Sequence, residues 1–178
     1  AVAVNWDVVE FILRPLYGAA WTQAFSVQCG DEIQCNRDGI PVGISLGSAG
    51  VKPAGVLPPH LFDLPLLHLD LDGSAVHGAV PPDIARAGLL ETFTCRGCTQ
   101  LGGVLPTQLR LMPSLRNLVL TGTRVRGHLP ALPLGVETVV LADNHFLGRV
   151  PVQWAALRAL HTLDVSNNEL VGEVPYGV

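Results

Sequence analysis

Apolar and polar positions along the chain follow one order that repeats at intervals of 21 to 25 residues. At the centre of each interval, aliphatic residues alternate with other types, as in Leu118-x-Leu120 and Leu163-x-Val165. Such alternation predicts a short strand with one buried face. Three residues further on, the chain must turn, and the side chain there can bond to free backbone groups of neighbouring windings. That turn position is held by Ala49, Ser74, Cys98, Thr123, Asn144 and Asn168.

A Gly-x-aliphatic-Pro tetrapeptide closes each interval. Its six copies begin at Gly55, Gly78, Gly103, Gly127, Gly148 and Gly172. Glycine lets the chain bend after the strand, and proline directs the residue before it toward an extended backbone. The segments that follow, such as residues 107–112 and 152–157, are predicted to form short helical or 3₁₀ turns. A period in the twenties is typical of leucine-rich repeats.

The predicted fold class is an α/β solenoid, a right-handed superhelix of leucine-rich repeats whose parallel sheet lines a concave side. One winding cannot bury its apolar face alone, whereas stacked windings share a continuous core. Residues 51–178 are predicted to form about five full coils, with the C-terminal end open or truncated. Residues 1–50 are predicted to form an N-terminal cap. Its helix, over residues 7–17, has Val8, Phe11, Ile12 and Leu16 at helical spacing.

Two pairs of cysteines lie in different parts of this pattern. Cys29 and Cys35 are six residues apart in a loop beside the cap helix, which indicates a disulfide and an oxidising compartment; two buried free thiols are the alternative. Cys95 takes an inward strand position and Cys98 a turn position. This placement favours a structural role, as free thiols or as a local bridge, over redox or zinc chemistry.

Composition restricts the function classes. Hydrophobic residues make up 48% of the chain and charged residues 15%, and the net charge is −4. So much aliphatic surface excludes disorder, and no uninterrupted apolar run is long enough to insert into a bilayer. With no cluster of lysines and arginines, a nucleic-acid partner is not expected.

Equivalent exposed strand residues are expected to form rows on the concave sheet, because stacked strands lie about 4.8 Å apart. The middle row is Ser45, Asp70, Thr94, Val119, Val140 and Asp164. The next row is Gly47, Asp72, Arg96, Thr121, Ala142 and Ser166, and a further row past the turn holds Arg124, His145 and Glu169. These rows predict a protein-binding surface with an apolar centre and a charged rim. A solvated sheet face that binds nothing is the alternative.

Catalysis is not expected. His68 beside Asp70 is the one pairing that suggests acid–base chemistry, and no serine or thiolate nucleophile accompanies it. His68 is therefore interpreted as a surface residue. No motif for a cofactor or a metal is found, so neither is predicted.

The combined pattern resembles the plant-specific subclass of leucine-rich repeats. The cap is similar as well, with its helix, Trp21, the paired cysteines and Asp38-Gly39 leading into Ile44-x-Leu46. A narrower resemblance, in residues 121–127, 132–137, 150–154 and 163–166, is to the promastigote surface antigens of kinetoplastid parasites. That family implies a secreted or lipid-anchored location at the cell surface, with any anchor outside this chain.

The function predicted from these resemblances is a non-enzymatic extracellular protein-binding module of a surface antigen that mediates adhesion. The family implies a host surface receptor or a complement-related protein as the partner. Two alternatives stay open: an inhibitor or regulator of a secreted hydrolase, and a structural component of a surface coat or filament. In the latter case, chains would associate through the uncapped C-terminal end.

Overall fold

The computed structural model describes residues 4–18, 27–46 and 52–177, in which the chain winds into successive coils. These ranges hold the helix α1 (Trp6–Tyr17) and the strands β1 (Ile33–Cys35), β2 (Pro41–Ser45), β3 (His68–Asp70), β4 (Gly78–Ala79), β5 (Thr92–Arg96), β6 (Leu101–Val104), β7 (Asn117–Thr121), β8 (Arg124–His128), β9 (Thr138–Val140), β10 (His145–Gly148), β11 (Thr162–Asp164) and β12 (Glu169–Leu170). They also hold 3₁₀ helices at Pro59–Asp63, Pro82–Arg86, Thr107–Leu111 and Val152–Ala156. The predicted solenoid is confirmed.

One strand from each coil enters a seven-stranded sheet in the order β1-β2-β3-β5-β7-β9-β11. Strand β1 of the cap is antiparallel to β2, and every later pairing in this sheet is parallel. The central apolar residues face one another in register: Ile44, Leu69, Phe93, Leu118, Val139 and Leu163. The first five of them are at most 1% exposed, so stacked strands share the core that the repeat predicts.

The predicted outer turns are confirmed as 3₁₀ helices of five residues, each starting directly after the proline of a Gly-x-aliphatic-Pro segment. Their third residue points into the core and is fully buried: Leu61, Ile84, Leu109 and Trp154. The shortest interval, between Gly127 and Gly148, has a turn at residues 134–135 in place of such a helix. Its shorter length leaves no room for one.

A second parallel sheet, in the order β12-β10-β8-β6-β4, was not predicted. It forms because the Gly-x-aliphatic-Pro segments and the residues before them are extended, and proline favours that geometry. Arg124, His145 and Glu169 open β8, β10 and β12 of this sheet, so their predicted place on the concave face is wrong. They also do not form one row, since His145 pairs with Arg126 and Glu169 with Leu147.

The residue after each tetrapeptide glycine lies over the glycine of the next coil. A Cβ on Gly103 would lie 2.6 Å from the Cβ of Ala79, and a Cβ on Gly127 would lie 3.1 Å from Val104. A Cβ on Gly148 would overlap the His128 ring, and its φ of +83° is unfavourable for residues with a side chain. The glycines therefore provide both the bend and the space for close stacking.

Gly148→Ala is expected to lower the free energy of unfolding by roughly 2 kcal/mol, because alanine would adopt a left-handed φ and displace His128. Gly88→Ala is the matched control, since a Cβ there meets nothing within 4 Å. Urea denaturation of both variants measures the difference. Equal losses of unfolding free energy in the two variants would show that close stacking and the left-handed φ do not require glycine at position 148.

The cap helix α1 is confirmed, but its buried face differs from the predicted one. Val8 and Phe11 are 50% and 70% exposed, whereas Val9, Leu13 and Tyr17 are buried. The helix is apolar on more than one side, and the spacing of apolar residues alone did not determine which side meets the first coil. Ile12 and Leu16, the other two residues of the predicted apolar face, are buried as expected.

The end of α1 is tied to the first coil through backbone hydrogen bonds. The amide of Gly55 donates to the Leu16 carbonyl at 2.9 Å, and the amide of Val56 donates to the Pro15 carbonyl at 3.2 Å. These bonds satisfy carbonyls that a helix end leaves free.

Tyr17, the last residue of α1, is buried. Burial and, to a lesser degree, the Glu32 carboxylate raise the pKa of its hydroxyl well above the usual value.

Both cysteine pairs are bridged. The predicted Cys29–Cys35 disulfide is confirmed, with a Cα–Cα distance of 5.7 Å, and it closes the loop that leads into β1. Cys95 and Cys98 form a second disulfide, with a Cα–Cα distance of 5.6 Å. Of the two structural alternatives for that pair, the local bridge is the one adopted. Both of its cysteines are fully buried inside the stacked coils.

The turn asparagines bond to neighbouring coils as predicted. The Asn144 amide nitrogen donates to the carbonyls of Leu120 at 2.6 Å, Leu141 at 3.1 Å and Ala142 at 3.1 Å, and its oxygen accepts from the Thr123 hydroxyl. Asn168 makes an equivalent set one coil later. Of the remaining turn positions, Ser74 is buried as well. Ala49, together with the predicted cap residue Trp21, lies outside the described residues.

Candidate protein-binding face

The middle row of the concave sheet lies as the sequence predicts. Backbone pairing places six residues side by side across six strands, in the order Ser45, Asp70, Thr94, Val119, Val140 and Asp164. The next row is confirmed where Arg96 pairs with Thr121. Gly47 of that row lies outside the described residues. The residues of the middle row therefore share one side of the sheet.

Its centre carries no charged side chain. On β7 the concave residues are Asn117, Val119 and Thr121, and on β9 and directly after it they are Thr138, Val140 and Ala142. Val119 is only 4% exposed and Ala142 only 5%. These six residues form an uncharged strip two strands wide, in which hydroxyl and amide groups lie beside Val119 and Val140. This composition suits the buried centre of a protein interface.

Sequence reasoning missed one further row of this face. Thr92, Asn117 and Thr138 pair in register at the start of β5, β7 and β9, and Asn117 donates to the Thr92 hydroxyl at 3.3 Å. The signal was present, since these residues continue the same alternation two positions earlier. They widen the uncharged strip by one row.

On one side of the strip, the acidic residues are held inside the sheet. Asp70 accepts hydrogen bonds from the hydroxyls of Ser45 and Thr94, each at 3.1 Å. Asp72 forms an ion pair with Arg96 at 2.7 Å and also accepts from the Arg96 amide. These carboxylates stabilise the strands beside them. In this ion pair the Arg96 side chain is 54% exposed and the Asp72 side chain 27%, so Arg96 is the more accessible partner.

On the other side, Asp164 at the end of β11 is exposed. Its carboxylate accepts from the Ser166 hydroxyl at 2.6 Å and from the Ser166 amide at 3.0 Å. These hydrogen bonds hold the pKa of Asp164 below its usual value, so the residue keeps its negative charge. Asp164 is therefore the exposed acidic boundary of the strip, and Arg96 the basic one.

The other residues considered from the sequence lie away from this face or on its edge. Trp154 is a core residue, fully buried. His60 lies 2.9 Å from the Asp63 carboxylate on the outer side. His68 is exposed at the start of β3, two residues before Asp70, and it pairs with Thr92 at the edge of the row that holds Asn117 and Thr138.

An apolar groove of about 360 Å³ runs between α1 and the first coil. It is lined by Phe11, Ile12, Pro15, Val56 and Pro58, among others. Within the described ranges, no helix is long and apolar enough to cross a membrane, and no group of three or more metal-ligating side chains comes together.

Comparison with known proteins agrees with this architecture. The family model "Leucine Rich Repeat" matches residues 159–178. Receptor-like protein 43 of Arabidopsis thaliana is 31% identical over 129 residues, which cover 69% of this chain and 18% of that protein. This chain thus spans about a fifth of that relative's length.

Solved structures show the same fold. The ectodomain of the receptor kinase SOBIR1 from Arabidopsis thaliana matches with a TM-score of 0.79 at 24% identity, over 96% of both chains. A TDR receptor matches with a TM-score of 0.63 at 28% identity, over 71% of this chain and 23% of that one. The Arabidopsis receptor kinase HAESA, solved with the peptide hormone IDA and the co-receptor SERK1, matches with a TM-score of 0.68 at 22% identity, over 82% of this chain and 29% of that one. The chain has the leucine-rich-repeat fold and resembles the ectodomains of plant receptors.

Proposed function

We propose that this plant-type leucine-rich-repeat chain is the binding part of an extracellular receptor-like protein, and that its concave sheet takes up a peptide segment. The observation that carries the proposal is the uncharged strip on β7 and β9, between the exposed charges of Arg96 and Asp164. A peptide that lies across the strands would place apolar side chains over Val119 and Val140. Its charged groups would reach the two boundaries.

The charges define the orientation of such a peptide. A basic group near Asp164 and an acidic group near Arg96 would each meet an exposed partner, whereas the opposite orientation would place like charges together. Asp70 and Asp72 contribute little direct binding in this proposal, because their oxygens are engaged by Ser45, Thr94 and Arg96. They hold β2, β3 and β5 together beside the strip.

The receptor proposal replaces the surface-antigen function in our interpretation. The relatives described above are plant receptors, and they give no support to promastigote surface antigens, a host receptor or a complement-related partner. HAESA was solved with a peptide hormone, and a peptide is the kind of ligand that a strip two strands wide accommodates. A cell-surface location follows from the same proposal.

The test begins with selection of binders from a displayed library of random peptides on the immobilised chain. The dissociation constant of a selected peptide is then measured for the unchanged chain and for variants. Val140→Arg places a charge in the strip and is expected to weaken binding roughly tenfold or more. Asp164→Arg reverses one boundary charge and is expected to weaken it severalfold for a basic peptide.

Val152→Arg is the matched control, because Val152 is 74% exposed on an outer 3₁₀ helix. It should leave the affinity unchanged. Equal weakening by Val140→Arg and Val152→Arg, or no weakening by either concave variant, would overturn the proposal. The alternative functions have separate readouts: a slower secreted hydrolase in the presence of the chain would favour an inhibitor, and concentration-dependent light scattering a coat component.

A further inference from the structure

The outer face of β8 is basic along its whole length. Arg124, Arg126 and His128 are exposed at alternate positions, and the Val125 side chain between them is fully buried. His128 follows Gly127, whose φ of +86° bends the strand, and its ring lies over Gly148 of the next coil. Alternate residues of a regular strand point to the same side, so Arg124 and Arg126 form one line, spaced about 6.8 Å apart. This line lies on the second sheet, away from the concave strip.

Strand β10 extends the basic surface. His145 pairs with Arg126, and Arg149 follows directly after the strand, exposed and packed against Gly172. Leu147, which pairs with His128, is 42% exposed and adds an apolar contact point.

The arginines of this face lack the carboxylate partners that four other arginines have. Arg14, Arg86, Arg96 and Arg116 each lie within 4.0 Å of an acidic side chain. Among the described residues, no acidic side chain lies that close to Arg124, Arg126 or Arg149. Two acids lie nearby: Glu169, which is 3.6 Å from His145, and Glu173, which lines one surface pocket together with Arg149. They mark the boundary of the basic surface toward β12.

We propose that this face binds an acidic peptide segment in extended conformation, with acidic residues at alternate positions. Such a segment also presents the side chains of one side about every 6.8 Å, so two successive carboxylates match Arg124 and Arg126. Both hydrogen-bonding edges of β8 are occupied by β6 and β10, so the segment lies over the face and binds through its side chains. Guanidinium groups suit carboxylates because they donate two parallel hydrogen bonds.

This inference is independent of the concave strip, because the two surfaces belong to different sheets and share no residue. A second ligand could therefore bind while the strip is occupied. An acidic segment bound at β8 would lie on the second sheet. The concave strip would stay free to bind its own peptide.

The experiment uses a labelled peptide of alternating glutamate and threonine, and a second peptide of the same composition with the glutamates in one block. Fluorescence anisotropy at low ionic strength is expected to show tighter binding of the alternating peptide. The double variant Arg124→Gln with Arg126→Gln should weaken that binding by roughly fivefold or more. It removes two ion pairs, and each of them contributes only modestly because it is exposed. Melting temperatures confirm that the variants fold.

Arg110→Gln is the control, because Arg110 is exposed on an outer 3₁₀ helix. It should leave the affinity unchanged. The proposal is overturned if the alternating peptide does not bind, if the block peptide binds equally well, or if Arg110→Gln weakens binding as much as the double variant. Tighter binding of a linear anionic polysaccharide, such as polygalacturonate, than of the alternating peptide would also overturn the peptide assignment.

Discussion

Replacement of Trp154 by alanine is expected to lower the free energy of unfolding by about 4 kcal/mol, the largest effect of any change considered. The side chain is fully buried at the third position of an outer 3₁₀ helix, where the other such helices place Leu61, Ile84 or Leu109. Its indole nitrogen donates to the Pro130 carbonyl in the preceding coil at 3.0 Å. Alanine would leave a cavity and also free that carbonyl. Urea denaturation followed by circular dichroism measures the loss.

Two variants separate the causes. Trp154→Phe keeps much of the buried volume and removes the hydrogen bond, so it should cost less than the alanine variant. Val152→Ala, on the same helix and 74% exposed in the original chain, should change stability by less than about 0.5 kcal/mol. If Trp154→Ala is no more harmful than Val152→Ala, the indole does not connect the two coils.

The second large effect is expected at the turn asparagine. Asn144→Ala removes the donor that serves the carbonyls of Leu120, Leu141 and Ala142, in a site that is 5% exposed. Backbone carbonyls left buried without a partner are costly, and the expected loss is about 3 kcal/mol. The same denaturation measurement gives the value.

Asn117→Ala is the control for this change, since Asn117 is half-buried on the concave side and makes one 3.3 Å hydrogen bond to Thr92. It should cost less than about 1 kcal/mol. A similar loss for both variants would show that the turn position is no more important to the stacking of coils than a surface hydrogen bond.

The register of the concave sheet could be predicted from the sequence because one physical requirement fixes it. A one-residue shift would move Leu118 and Leu163 from the core to solvent, so the period of the aliphatic residues leaves a single alignment. The same requirement placed Val119 beside Val140. The Cys29–Cys35 disulfide could be predicted because the two cysteines are only six residues apart and follow the cap helix.

Features that depend on two surfaces meeting could not be predicted in the same way. The cap helix has apolar residues on several sides, and only its contact with the first coil decides that Leu13 is buried and Phe11 exposed. The second sheet arises from extended segments that the sequence marks only by glycine and proline. Because that sheet was missed, Arg124 and His145 were assigned to the wrong face.

The assignment of the peptide-binding face can be measured directly by methyl NMR of the chain with and without the library-selected peptide at saturating concentration. We expect the largest chemical-shift changes at the methyl groups of Val140 and Thr121, on the concave strip. Those of Val104 and Leu147, on the second sheet, should remain unchanged. The largest changes at Val104 and Leu147, with none at Val140 and Thr121, would contradict the proposal that the concave sheet takes up the peptide.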